Sequence, residues 1–174
     1  RMLRMTGGSS EHLSFEGIEL RLELPSDTPA DGWSLIAMST GQSLDMTDCV
    51  LTVQDGDGQR SAVHDQVAMI FVQRRRPGET MTMADPQVAM GQQARVTLER
   101  CIARGEASLL SLTDETPLTF RWNQGLLVTS RHLIETGGTG AEPQYYEQLV
   151  LDLRNVTAAC KQGMYYLRRG PGKA

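Results

Sequence analysis

The sequence predicts an all-β chain wound as a right-handed parallel β-helix, a solenoid of about five to six coils. Two observations predict it. The first is a repeat: segments 13–20, 44–51, 96–103, 120–127 and 151–158 align without gaps, each with apolar or small residues at its first, third, sixth and eighth places. The second is its period. The segments begin at 13, 44, 96, 120 and 151, so successive spacings are 31, 52, 24 and 31 residues. A period in the twenties to low thirties, with one apolar strand per period, suits a solenoid. The segments alternate instead of repeating every 3.6 residues, which argues against helices. A jelly roll or β-sandwich with antiparallel pairing is the alternative, because short alternating strands between turns fit that class too.

Within each repeat, the first and third residues lie on one side of a strand. The step from third to sixth is three residues, so a flat strand would turn the sixth side chain outward. A one-residue bend at the fifth place restores it to the interior. That place holds Gly17, Asp48, Arg100, Gln124 and Asn155. Gly, Asp and Asn tolerate the left-handed backbone such a bend uses, whereas Arg100 and Gln124 fit less well. Phe15, Met46, Leu98, Trp122 and Leu153 are then expected in single file, and Ile18, Cys49, Cys101, Gly125 and Val156 in another. Further strands are expected at 33–38, 107–112, 126–129 and 163–167. The run 67–72 is a degenerate sixth repeat inside the 52-residue gap. Loops are marked by 25–32, 55–58, 77–93 and 137–144. Residues 1–10, with Gly7-Gly8-Ser9-Ser10, read as linker or remnant, 11–169 as one domain and 170–174 as a tail.

Composition narrows the function classes. The chain has 174 residues, 40% hydrophobic and 22% charged, which is ordinary for one folded domain. A net charge of −4 gives no basic footprint for nucleic acid. The run Arg74-Arg75-Arg76 precedes Pro77-Gly78 and reads as a solvated loop start. No stretch approaches the roughly 18–20 apolar residues of a membrane-spanning helix. Cys49, Cys101 and Cys160 are odd in number and lack a C-x-x-C pair, which argues against a disulfide framework or a zinc site. Two cysteines in one column suggest a redox pair, but a small buried hydrophobe is the commoner use. An extra coil between repeats two and three would hold them apart. The chain opens on Arg1 and reads as part of something longer, flanked by further domains.

The repeat resembles the pectate-lyase-like right-handed β-helix, whose coils commonly run apolar-x-apolar-x-Asn-apolar-x-apolar; Leu151-Asp-Leu-Arg-Asn-Val-Thr-Ala158 matches most closely. Residues 96–105, 107–122 and 123–130 are similar to coils of large planctomycete proteins, some of which carry a serine/threonine kinase domain elsewhere. The resemblance covers residues 13–168. It implies enzymes acting on acidic polysaccharides, with calcium-binding carboxylates and a basic residue, or with clustered aspartates. It does not transfer function by itself.

Candidate chemistry is sparse. There is no Asp-Asp pair, no Gly-His-Gly and no Arg-x-Lys within a strand. Asp45 and Asp48 straddle the bend and are candidates for paired acid/base work, with Arg100 or Arg121 on nearby coils. Asp55-Gly-Asp57-Gly58 is half of a calcium loop, but Arg60 follows with the wrong charge. His132 and Glu135 lie three apart, on opposite sides of a strand. His12 and His64 stand alone, without a Gly-x-Ser-x-Gly elbow. Kinase signatures are absent. One tyrosine of each pair, Tyr145-Tyr146 and Tyr165-Tyr166, should point outward. No cofactor motif occurs. The expectation is a non-catalytic scaffold or binding surface for a protein or carbohydrate partner; the alternative is a carbohydrate-active lyase or hydrolase.

Overall fold

A computed structural model describes residues 2–6, 10–25, 32–55, 67–73, 93–113, 116–137 and 149–168. Thirteen strands and no helix occur among them. They are β1 (Leu3–Arg4), β2 (His12–Glu16), β3 (Glu19–Leu24), β4 (Ser34–Ser39), β5 (Ser43–Thr47), β6 (Val50–Asp55) and β7 (Ala68–Gln73). Then follow β8 (Ala94–Gly105), β9 (Ser108–Leu112), β10 (Leu118–Thr129), β11 (His132–Gly137), β12 (Leu149–Cys160) and β13 (Gly163–Arg168). Arg74 to Arg76, Asp57-Gly58, Arg60, His64, Tyr145-Tyr146 and 170–174 lie outside the described residues. Within the segment expected to be linker, Leu3 and Arg4 pair with Ile36 and Ala37.

The strands form two sheets. One runs β1-β4-β7-β9-β11-β13; the other runs β12-β10-β8-β5-β2, with β3 on β6 and β6 on β8. Every pairing between described residues is parallel. Jelly rolls and sandwiches are built from antiparallel neighbours, so that alternative is removed.

The repeat is the register of the second sheet. Phe15 pairs with Met46, Met46 with Leu98, Leu98 with Trp122, and Trp122 with Leu153. One expectation is corrected. β5 pairs directly with β8, so the 52-residue gap adds no layer to this sheet. The run expected as a sixth repeat, Val67–Val72, instead supplies β7 of the other sheet, between β4 and β9. It reads as a continuous apolar run because β7 is buried on both faces, where alternation is lost.

The bend is present at all five places. Gly17, Asp48, Arg100, Gln124 and Asn155 have φ of 65°, 54°, 50°, 56° and 55°. Gln124 and Asn155 are passed over by the ladder, which pairs Asn123 with Arg154 and then Gly125 with Val156. Arg and Gln hold a conformation that costs about 1–2 kcal/mol for a residue with a Cβ. The stacked ladder on either side dictates it. Behind the bend, Trp122 is fully buried and meets Phe120 edge-on at 6.2 Å. An aromatic pair of this kind contributes about 0.5–1.5 kcal/mol beyond its burial. A Cβ on Gly125 would overlap the Trp122 indole, so glycine makes the room.

Candidate functional site

The outer face of the second sheet carries the polar chemistry. Across β8, β10 and β12 an open groove of about 600 Å³ is lined by Glu99, Arg121, Asn123, Asp152, Arg154 and Asn155, among others. The parallel register builds it. Thr97, Arg121 and Asp152 fall in one row, and Glu99, Asn123 and Arg154 in the next. Asn123 donates Nδ2–H to Glu99 at 3.0 Å, Arg154 donates to Asp152 at 2.9 Å, and Asn155 donates to Asn123 at 3.4 Å. The Arg121 side chain is exposed and makes no hydrogen bond or ion pair among the described residues.

The four candidate residues do not meet at one point. Asp48 accepts two hydrogen bonds from Arg100, both 2.7 Å, across adjacent layers at the bend. That guanidinium holds the Asp48 carboxyl below the ordinary carboxylate range, and the carboxylate holds Arg100 charged. Asp45 turns instead toward His12, with 3.6 Å between Oδ2 and Nε2. Arg121 lies two strands from Asp45, with Thr97 between them.

A second cluster was invisible in the linear sequence. His12 Nδ1 is 2.9 Å from Ser43 Oγ, so Ser43, His12 and Asp45 stand in the order of a nucleophile, base and orienting acid. Ser43 and Asp45 share β5, His12 lies 31 and 33 positions before them, and only the pairing of His12 with Ser43 unites the three. The histidine and aspartate side chains are each about half exposed, at 52% and 47%. An imidazole in water is not activated by desolvation, so the cluster has the connectivity of a relay without the dry, preorganised setting that makes one effective.

His132 and Glu135, read as facing opposite sides of β11, are both buried. The ladder pairs His132 with Gly163 and Ile134 with Tyr165, passing over Leu133, so simple alternation breaks between them. Glu135 accepts a hydrogen bond from Ser108 Oγ at 3.0 Å and lies 3.7 Å from Arg131. His132 stacks on Tyr166 with ring centres 4.9 Å apart. Burial pulls its pKa below the ordinary imidazole value, against a smaller upward pull from Glu135. Tyr165 and Tyr166 are both exposed, not one of the two, because β13 ends its sheet.

Cys49 and Cys101 occupy neighbouring layers; no extra layer parts them. Both are free and buried, and their thiols donate to main-chain carbonyls of Thr47 and Met46, at 3.1 and 3.3 Å. Burial pushes the Cys101 thiol up, so it stays protonated and a poor nucleophile. Among the described residues no three His, Cys, Asp or Glu side chains group as a metal site requires, and no helix is long and apolar enough to cross a membrane. Comparison with known proteins finds no family model, no curated protein and no solved structure that matches the chain.

Proposed function

We propose that the chain is a right-handed parallel β-helix of the pectate-lyase-like kind, serving as a non-catalytic scaffold and binding surface within a larger protein. What supports the solenoid reading is strand order. The chain alternates between two parallel sheets and lays each new strand beside the preceding one of its own sheet. Parallel crossovers are right-handed in almost all cases.

The observation that carries the functional reading is the engagement of the outer-face carboxylates. Asp48, Glu99 and Asp152 each already accept from an arginine or asparagine, and Asp45 and Asp48 turn to different partners. Acid/base catalysis needs a proton donor and a proton acceptor that are both free to face one scissile bond. The groove instead brings donors from Arg121 and Asn123 of β10 and Arg154 of β12 to one face, in two adjacent rows. That array suits an elongated ligand rich in acceptor oxygens, and an acidic oligosaccharide is the chemistry that fits it best.

One observation favours the enzyme reading. Among the described residues the Arg121 side chain has no partner, and it sits in register with Asp152, as a lyase or hydrolase would use them. A panel of uronic-acid polymers, with and without calcium, separates the two. The scaffold reading expects binding that Arg121→Ala weakens, with no new unsaturated or reducing ends. Release of such ends, abolished by Arg121→Ala, would overturn it.

A further inference from the structure

Parallel sheets end in strands that still offer half of a ladder. Here β1, β2 and β3 end the sheets on one side and β12 and β13 on the other. Among the described residues nothing covers the outer edge of β12 and β13. Leu151 is 42% exposed although Phe120, its neighbour in register, is buried, and Tyr165 and Leu167 are 55% and 62% exposed. At the opposite end Leu13, Phe15 and Ile18 are only partly buried. The two ends carry the same repeat, so one can serve as the next layer of the other.

We propose that β12 and β13 of one molecule bind the β2–β3 end of a second copy, head to tail. The inference rests on the solenoid reading above. Continuing the repeat register sets Leu13 of the second copy on Leu151, Phe15 on Leu153 and Ile18 on Val156. The charges then complement. Glu16 of the second copy falls beside Arg154, and Glu23 beside Lys161. At the positions between, Ser14 meets Asp152, Glu19 meets Thr157 and Arg21 meets Ala159, so no like charges meet. Glu16, Glu23, Arg154 and Lys161 are all exposed; docking exchanges the surface partners that Arg154 and Glu23 hold within one molecule, Asp152 and Arg21, for these contacts.

The same register gives β1 a role. In the stack, β13 arrives at the edge of β4 that β1 holds through Leu3 on Ile36 and Arg4 on Ala37. Two residues are then exchanged for a six-residue strand, so β1 acts as a displaceable cap. The contact is heterologous and does not close on itself, so it builds linear assemblies, not a closed dimer.

Sedimentation of the full chain tests this. Association should rise with concentration and rise further when residues 2–6 are removed. A Glu16→Lys/Glu23→Lys variant and an Arg154→Glu/Lys161→Glu variant should each self-associate about tenfold more weakly. An equimolar mixture should recover, because each variant then offers the complement of the other. Assembly indifferent to both variants, or a monomer that stays monomeric without residues 2–6, overturns the proposal. Circular dichroism of each variant confirms that it is folded. A folded monomer that binds an acidic glycan without cleaving it would sink head-to-tail docking and leave the scaffold reading standing.

Discussion

Both sheets have a line of residues that the ladder passes over, and the two lines have opposite characters. In the second sheet the line is Asp48, Arg100, Gln124 and Asn155, exposed, polar and left-handed in backbone. In the first it is Leu35, Met69, Leu109 and Leu133, all buried, with none at positive φ. One line makes a solvent-facing corner; the other kinks a sheet whose inner strands, β4, β7, β9 and β11, are covered on both faces. The difference shows that a ladder break alone does not set residue type. Burial does.

Introducing a carboxylate into each line should break the symmetry most sharply. Met69→Asp buries a charge with nothing to pair it, and is expected to cost more than about 4 kcal/mol and to leave little folded protein. Gln124→Asp stays in solvent in a conformation Asp tolerates, and should change stability by less than about 0.5 kcal/mol. Chemical denaturation of the two variants measures the gap. Similar costs for both would mean that the two lines are not differently buried.

The same contrast explains what the sequence revealed. The exposed line was legible because its neighbours alternate: Leu44, Met46, Cys49 and Leu51 announce an interior face. The left-handed bends at Arg100 and Gln124 followed from spacing and not from residue type. The buried line was illegible because Ala68, Met69, Ile70 and Val72 are apolar on both faces and carry no period. For that reason 67–72 read as a repeat of the wrong sheet. The groove was legible only in part. Arg121 stood out as a charge, but its row with Thr97 and Asp152 depends on spacings of 24 and 31 residues that only the register converts into contact. Ser43, and the meeting of His12 with Asp45, were missed for the same reason.

Interior fit in the second sheet comes next in size. Gly125→Ala drives a methyl into the buried Trp122 ring, and overpacking of this kind costs about 1–3 kcal/mol. Trp122→Phe in the same chain removes the colliding portion, so the double variant should lose less than the sum of the singles. Additive losses would show that the glycine serves the backbone and not the indole.

In the first sheet the sensitive group is His132. Its folded pKa lies below the ordinary value of 6.5. The unfolded chain therefore binds the proton more readily. His132 favours the folded state fully above about 6.5, and that advantage is lost as pH falls from there through the lowered folded pKa. One group shifts stability by at most about 1.4 kcal/mol per pH unit. The difference in unfolding free energy between wild type and His132→Gln should change across that window and be flat above it. A difference that stays constant from pH 7 to about 5 would show that the histidine titrates as it does in the unfolded chain.

The smallest effects belong to the exposed corner, where two opposing contributions can be separated. Asn adopts the left-handed backbone more readily than Arg or Gln. Gln124→Asn loses no ion pair and should stabilise by about 0.5–1 kcal/mol. Arg100→Asn gains the same backbone relief but forfeits the two 2.7 Å hydrogen bonds to Asp48. A surface pair of this kind is weak and screened, so the net change should be smaller than the gain from Gln124→Asn. The gap between the two substitutions is then the contribution of the Asp48–Arg100 pair, and it should shrink in high salt. Equal stabilisation by both would mean that the pair contributes nothing and that the corner is held by the stacked strands alone.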